Sequence, residues 1–322
     1  QASGAHVSRL ASARLGRLLW LTTLCIRTVW ECLTNRPDLV VCGHVVTAPA
    51  GLLARRLLGV RYAVFAYGYE VRRRRWKRVL GLLLRGAAAV AACSRFTRDA
   101  VLGLGVSPER VHVVYPGVDA ARFAPSGNGT SPVGPTLLSV ARLAELYKGH
   151  DTLIRVLPLV RARCPGARLR IAGDGPLREY LQRIARSVAV DDAVDFLGEV
   201  ADAALPDLYR TSDAFVLMSR ESPSKGGAEG FGIVCLEAGA CGKPVVVGRS
   251  GGLVDAVEDG VTGILVDPED PAAVAEALIA VLSDQALARR LGQAGRARVL
   301  SRFTWQQVIG DARNVFEEAV RR

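Results

Sequence analysis

The sequence predicts an α/β fold class with two Rossmann-like domains that face each other across a cleft. Short β-branched runs alternate with longer amphipathic stretches, which is typical of parallel sheets with helices on both faces. A Gly/Ser/Pro-rich segment at residues 126–134 interrupts this alternation, which then restarts. The chain of 322 residues is long enough to give each domain its own buried core.

The first domain is predicted over residues 1–125. Its strand-like runs lie at residues 39–42, 62–65, 88–92 and 111–115. The chain begins with Gln1 and enters helix-like sequence without an opening strand. We therefore expect a truncated or processed N-terminus and an incomplete first domain.

The second domain is predicted over residues 135–300, after a linker at residues 126–134. Its strand-like runs lie at residues 136–140, 168–172, 194–197, 214–217, 244–247 and 263–266. Helical stretches separate these runs, for example at residues 176–188 and 271–283. Because ligands of such sheets bind at the carboxyl ends of the strands, we expect that edge of the sheet to face the cleft.

The composition is that of an ordinary globular chain, with 50% hydrophobic and 23% charged residues. The seven cysteines form no Cys-x-x-Cys pair and the four histidines have no metal-ligand spacing. We therefore expect free thiols in a reducing compartment, without a bound metal or cofactor. No apolar run reaches the roughly 20 residues of a membrane-spanning helix, and no segment resembles a signal peptide. These features predict a cytoplasmic protein.

Positive charge is concentrated in the first domain. Residues 1–125 carry 19 lysines and arginines against 6 acidic residues, whereas the rest of the chain carries 23 against 25. This asymmetry predicts an anionic partner such as the inner face of a membrane or a lipid phosphate. The candidate membrane-contact residues are Arg72, Arg73, Arg74, Arg75 and Trp76. The alternative is a solvated helix face, and the absence of a recognition motif disfavours a nucleic-acid partner.

The segment 229–244 has the clearest chemical signature. A Gly-rich loop opens into a helix that is predicted to begin near Gly232. The unpaired N–H groups and the positive dipole end of such a helix form an anion site that fits a diphosphate. Glu229 lies before the helix and Glu237 about two turns along it, roughly 10 Å away. The two carboxylates can therefore bracket the phosphates and accept hydrogen bonds from sugar hydroxyls. The alternative is a pair of ordinary surface carboxylates.

Two cations follow the strand-like run at residues 136–140. Arg142 lies at the end of this run and Lys148 follows shortly after. Two cations at this position can neutralise a leaving diphosphate, a task that a metal ion performs elsewhere. The chain contains no Asp-x-Asp pair, the common metal-binding signature for nucleotide sugars. The sequence therefore predicts a metal-independent site, although Lys148 taken alone is also compatible with a solvated lysine.

A third turn lies at the same predicted edge of the sheet. Gly173 and Asp174 follow the run at residues 168–172 and precede a helical stretch. The pattern is not Gly-x-Gly-x-x-Gly, which disfavours a dinucleotide cofactor. A plain strand–helix connection is the alternative.

In this order, the segments resemble the retaining glycosyltransferases of family four, which have the GT-B fold. The resemblance extends from about Pro37 to the C-terminus. It rests on the Glu-x7-Glu motif, on Arg142 with Lys148, and on the segments 173–176, 196–200 and 250–252. Within the family, the motif, the segment 240–244 and the long loop at 219–228 resemble the phosphatidylinositol mannoside mannosyltransferase branch. That branch implies transfer of mannose from GDP-mannose to a lipid-linked or other glycoside acceptor.

The resemblance also implies a role for each matched residue. Arg142 and Lys148 are implied to bind the donor diphosphate, Glu229 the sugar and Glu237 the ribose, and Val200 lies at the base. The implied catalytic residues are Arg142, Lys148 and Glu229. The implied donor-binding residues are Gly173, Asp174, Val200, Leu205, Phe231, Gly232, Ile233, Val234 and Glu237. The segment 301–322 resembles the helix that crosses back to the first domain.

Two features depart from the family pattern. Many relatives carry a histidine before a Gly-x-Glu in a loop of the first domain, and Tyr67 takes its place here. Tyr67 and His44 are therefore candidate acceptor or cleft residues. We also expect the opening strand and Gly-rich loop of the family to be missing. The alternatives are a UDP-sugar-dependent transferase for a small acceptor, a non-catalytic nucleotide-sugar-binding protein, and a sugar-nucleotide epimerase.

Overall fold

The computed structural model describes residues 16–72, 76–125, 134–222 and 227–321. These residues form two parallel sheets, one on each side of the predicted linker, and helices cover both sheets. The structure therefore confirms the predicted α/β class with two Rossmann-like domains. All ten predicted strands are present, and their ends agree with the prediction within two residues.

The N-terminal sheet has four parallel strands in the order β1-β2-β3-β4. The strands are β1 (Leu39–Cys42), β2 (Arg61–Ala66), β3 (Ala89–Ala92) and β4 (Val111–Val113). The helices are α1 (Arg17–Asn35), α2 (Ala48–Leu58), α3 (Lys77–Arg85) and α4 (Arg95–Leu102). All four residues of β3 are buried, as expected of a central strand in a sheet with both faces covered.

The C-terminal sheet has six parallel strands in the order β10-β9-β8-β5-β6-β7. The strands are β5 (Thr136–Val140), β6 (Arg168–Ala172), β7 (Val194–Gly198), β8 (Ala214–Leu217), β9 (Val245–Gly248) and β10 (Ile264–Val266). The chain first builds outward from β5 on one side and then returns to build β8 on the other. The strand order therefore reverses between β5 and β8, which is where doubly wound sheets bind ligands.

Eight helices follow in the second half of the chain as the structure describes it. They are α5 (His150–Arg163), α6 (Arg178–Ser187), α7 (Leu205–Arg210), α8 (Ile233–Ala240), α9 (Leu253–Ala256), α10 (Pro271–Ser283), α11 (Gln285–Arg302) and α12 (Trp305–Arg321). Alternate residues of β5 serve the two faces of the sheet: Leu137 packs with α5 and α10, and Leu138 packs with α8. Each face of this sheet therefore has its own apolar core.

The last helix, α12, leaves the C-terminal domain and packs on the N-terminal sheet. Ala319 lies against Ala63 and Ala89, whose small side chains let the helix approach the sheet closely. The ring of Phe316 packs edge-on against Phe65, with 5.5 Å between their centroids. The two domains are therefore connected through α12, and the predicted linker lies, apart from Gly134, outside the described residues.

In the part of the chain that the structure covers, no single helix has the length and apolarity needed to cross a membrane. The helices α10 and α11, which meet at 95°, meet both criteria only as a bent pair.

Candidate active site

The predicted site residues of the C-terminal domain lie at the carboxyl edge of its sheet, around the reversal between β5 and β8. Arg142 and Lys148 are in the loop after β5, Gly173 follows β6, and Glu229 is in the loop between β8 and α8. Segments that are far apart in sequence converge there because parallel strands end at the same edge.

The helix α8 begins where the Gly-rich motif predicts it, with Gly232 as its N-cap residue. Gly232 has a φ of 94°, and a Cβ atom there would lie 2.5 Å from Leu253 Cδ2, so the turn requires glycine. No side chain caps α8, and its first turn has no acidic residue. Its N-terminal N–H groups are therefore available to an anion.

Lys148 and Glu229 form an ion pair at this helix start. Lys148 Nζ lies 2.6 Å from Glu229 Oε2, and the two side chains are only 14% and 16% exposed. Burial is the largest single influence on the pKa of Lys148 and lowers it, but Glu229, Tyr147 and Glu145 together outweigh burial, so this pKa is raised. The site therefore holds a fixed positive charge beside a carboxylate.

A tight turn delivers Lys148 to this position. Gly149 has a φ of 75°, and a Cβ atom there would lie 1.8 Å from the carbonyl oxygen of Met218 at the end of β8. Only glycine can bring the β5 loop this close to β8. Arg142, earlier in the same loop, is exposed and has no hydrogen bond or ion pair to any residue that the structure describes. Its guanidinium is therefore free to bind an anion.

Glu237 is held by a residue that the sequence analysis did not select. The buried Tyr209 of α7 donates a hydrogen bond from its hydroxyl to Glu237 Oε2 at 2.6 Å. Burial raises the pKa of Glu237, and the Tyr209 hydrogen bond opposes that rise. The sequence could have indicated Tyr209 in one way, because this side chain carries a hydroxyl group on the apolar side of a short helix.

The β5 and β6 loops touch through their backbones. A Cβ atom on Gly173, whose φ is 136°, would lie 2.1 Å from the carbonyl oxygen of Ala141. The Asp174 carboxylate accepts the Gly175 N–H at 2.7 Å and pairs with Arg178 at 3.2 Å. Asp174 therefore stabilises its own turn, and the backbone is the part of this loop that is left for a ligand.

Apolar residues make up the rest of the predicted donor site. Val200, Leu205 and Val234 are partly buried and pack against the core face that contains Phe231, which is itself buried. Ile233 is exposed at the first position of α8. These side chains provide an apolar lining beside the polar groups, as expected of a small-molecule site.

Two candidate residues of the N-terminal domain lie across the cleft. The ring of Tyr67 stacks on His44 with 5.9 Å between centroids, and Tyr67 is 45% exposed. The backbone of Tyr67 meets the Glu229 loop, because a Cβ atom on Gly230 would lie 2.1 Å from Tyr67 O. His44 Nδ1 accepts the Val46 N–H at 3.1 Å, so that nitrogen has a structural partner.

Of the five predicted membrane-contact residues, the structure describes Arg72 and Trp76. Arg72 pairs with Glu221 of the other domain at 3.0 Å, and its guanidinium lies 4.4 Å from the centroid of the Phe96 ring. Arg72 therefore spans the cleft. Residues 73–75, which are Arg73, Arg74 and Arg75, lie outside the described residues. Trp76 is 51% exposed just before α3.

Comparisons with known proteins agree with this fold. Two family models match the chain: "Glycosyl transferases group 1" over residues 126–298 and "Glycosyltransferase Family 4" over residues 3–122. A GDP-mannose-dependent alpha-(1-6)-phosphatidylinositol monomannoside mannosyltransferase from Mycolicibacterium smegmatis is 36% identical over 270 residues. The match covers 80% of this chain and 70% of that protein.

Solved structures share the two-domain architecture. A glycosyltransferase from Rickettsia africae superimposes with a TM-score of 0.80 at 19% identity, covering 98% of this chain and 85% of the other. Anabaena HepE in complex with UDP gives a TM-score of 0.79 at 24% identity, covering 94% and 83%. The fold is that of the GT-B glycosyltransferases, and the protein is a glycosyltransferase. Specifically, the chain belongs to glycosyltransferase family 4, with a group 1 domain as its C-terminal half.

Proposed function

We propose that the protein transfers mannose from GDP-mannose to a lipid-linked or other glycoside acceptor, with retention at the anomeric carbon and without a metal ion. The observation that carries this proposal is the Lys148–Glu229 pair beside the uncapped start of α8. It combines an anion seat with a carboxylate that can orient a sugar. The mycolicibacterial relative, named as a GDP-mannose-dependent mannosyltransferase, supports the choice of donor.

In the proposed mechanism the bond between the sugar C1 and the diphosphate oxygen breaks first. Arg142, Lys148 and the α8 N–H groups stabilise the charge that develops on the leaving diphosphate. The acceptor oxygen then bonds to C1 on the same face, and its proton passes to the leaving phosphate oxygen. Glu229 orients the sugar hydroxyls, and Glu237, held by Tyr209, binds the ribose.

We also propose that the protein binds peripherally to an anionic membrane through α3, which would bring the site to a lipid acceptor. Trp76, Val79 and Leu82 are exposed at three-residue spacing, and Lys77 and Arg78 lie beside them. An apolar stripe flanked by cations suits the interface of an anionic bilayer. This arrangement moves the proposed contact from the start of the basic run to the helix that follows it.

The test is a transfer assay with radiolabelled GDP-mannose, UDP-glucose and UDP-galactose, offered with membrane lipids or with soluble glycosides. We expect label from GDP-mannose to enter the lipid fraction, at a rate that EDTA does not change. Arg142→Ala and Lys148→Ala should each lower kcat about 100-fold, because each removes a group that stabilises the leaving diphosphate. Transfer only from a UDP-sugar, isomerisation of the donor, or nucleotide binding without turnover would each reject the proposal.

A further inference from the structure

Asp255 of the C-terminal domain binds the first turn of a helix in the N-terminal domain. Its Oδ2 accepts the backbone N–H of Arg95 at 2.5 Å, and its Oδ1 accepts Arg95 Nε–H at 2.5 Å. Arg95 is the first residue of α4. A carboxylate at this position satisfies an otherwise unpaired N–H group and is favoured by the helix dipole. We call Arg95 and Asp255 the interdomain latch.

The C-terminal side of the latch is rigidly supported. The Asp255 side chain is fully buried, in α9. Arg298 of α11 donates to the carbonyl oxygens of Asp255 at 2.9 Å and of Ala256 at 2.6 Å. Arg298 also lies near Glu258, with 3.7 Å between the charged atoms. The carboxylate is therefore held in one orientation, toward α4.

The backbone next to Asp255 also contacts the Glu229 loop. The Gly252 N–H donates to the carbonyl oxygen of Glu229 at 2.8 Å. A Cβ atom on Gly252 would lie 2.0 Å from the carbonyl oxygen of Gly230, so the two backbones are in direct contact. A displacement of α9 would therefore displace the segment that carries Glu229.

The N-terminal domain contacts the other side of the same segment. The Gly230 backbone meets the Tyr67 carbonyl, and Cys93 Sγ donates to the Gly230 carbonyl oxygen at 3.5 Å. The Glu229 loop is thus enclosed between the 250–252 loop and the N-terminal domain. Opening the latch would remove one of the contacts that hold this enclosure together, beside α12 and the Arg72–Glu221 pair.

We propose that Asp255 is a positioning residue for glycosyl transfer, acting through Arg95 to hold the N-terminal domain against the Glu229 loop. This inference rests on the proposed function, because a closed cleft is where donor and acceptor meet. The Arg95 side chain is 64% exposed, so water and salt compete for its half of the latch. The contribution of the side-chain half should therefore weaken as the salt concentration rises.

Arg95→Ala is the main test, since it removes the side-chain half of the latch from an exposed position. Arg98→Ala is the matched control, one turn along α4, where the side chain pairs with its neighbour Asp99 at 3.4 Å. We expect a larger radius of gyration by small-angle scattering for Arg95→Ala and the parental value for Arg98→Ala. We expect kcat to fall about tenfold in Arg95→Ala, with the Kd for GDP within about twofold of the parent. Arg95→Lys, which keeps the charge, should recover part of the loss.

Asp255→Asn provides a second variant that keeps the size of the side chain. It should expand the molecule at least as much as Arg95→Ala, because it weakens both hydrogen bonds. The proposal is overturned if Arg95→Ala matches Arg98→Ala in scattering and in kcat. It is also overturned if the affinity for GDP falls in parallel with turnover, which would indicate a general folding defect. Scattering needs no substrate, so a parent that transfers no sugar would reject the proposed function separately from the latch.

Discussion

Glu237 and Tyr209 form one functional unit although the sequence pointed to only one of them. The Tyr209 hydroxyl is the donor that stabilises a carboxylate in a largely buried position. Without it, Glu237 would be desolvated and unpaired, and its pKa would rise further. The proposed role of Glu237 as an acceptor for the ribose hydroxyls therefore depends on Tyr209.

We predict that Tyr209→Phe weakens GDP binding about tenfold and destabilises the protein by about 1–3 kcal/mol. The physical reason is that the variant leaves a buried acceptor unsatisfied. Calorimetric titration with GDP and urea unfolding measure the two effects. Tyr180→Phe, on the partly buried face of α6, is the control and should change neither. A Tyr209→Phe protein with parental affinity for GDP would show that Glu237 does not need this donor.

We predict that the buried His150 makes the stability of the protein fall at acidic pH. Burial lowers its pKa to about 4 from an ordinary value of 6.5, and the nearby Lys148 charge acts in the same direction. As pH falls from 6.5 toward 4, the unfolded chain binds a proton at this residue and the folded chain does not. The free energy of unfolding should therefore fall across this window, by at most about 3 kcal/mol from this group.

In a His150→Leu variant this loss should be absent, so its unfolding free energy should depend less on pH between 6.5 and 4. Urea unfolding at a series of pH values measures the difference. His112→Gln, which changes a half-buried histidine on β4, should keep the parental slope. Equal slopes in the parent and His150→Leu would show that His150 is not a buried neutral group.

The charged candidate residues could be selected from the sequence, whereas the residues that contact them could not. Charged side chains in Gly-rich or apolar segments indicate a function, which is why the sequence singled out Arg142, Lys148, Glu229 and Glu237. Contact between Lys148 and Glu229 could not be named, because the two are 81 residues apart and meet only through the strand order. Tyr209 and Asp255 were missed for the same reason. The partner of Arg72 could not be named either, since Glu221 belongs to the other domain.

At the scale of elements, local pattern was sufficient for most of the chain. The strands were predictable because apolar runs buried on both faces have few alternatives to a parallel sheet. The start of α8 was also predictable, since Gly232 is required by its backbone conformation. The face of α3 that is exposed to solvent could not be predicted. It depends on which face of the helix packs on the N-terminal core.

We predict that the protein binds anionic vesicles through the exposed face of α3. The Lys77→Glu/Arg78→Glu double variant should lose binding to phosphatidylglycerol vesicles in a flotation assay, because charge reversal removes the attraction to the lipid head groups. Trp76→Ala should weaken binding less. The matched control is the Arg183→Glu/Arg186→Glu double variant on α6 of the C-terminal domain, which should float as the parent does. If both double variants lose binding equally, net charge rather than α3 is responsible.

At the scale of the whole molecule, the two sheets, α12 and the latch together set how the two domains face each other. The strand reversal between β5 and β8 places the proposed donor site at one edge of the C-terminal sheet. The crossing helix fixes the N-terminal domain opposite this edge, and Tyr67 closes on the Glu229 loop. In the proposed function, the fold therefore presents the donor seat on one wall of the cleft and the acceptor-side residues on the other.

In the proposed function, the start of α8, with Lys148, Glu229 and Glu237 around it, seats the diphosphate of a sugar nucleotide. Calorimetric titration of GDP into the parent and into Lys148→Ala tests it most directly. We predict saturable binding of one GDP per chain and an affinity at least about tenfold lower in Lys148→Ala, since the variant removes a charge-assisted contact to phosphate. The absence of GDP binding in the parent, or an unchanged affinity in Lys148→Ala, would contradict the account.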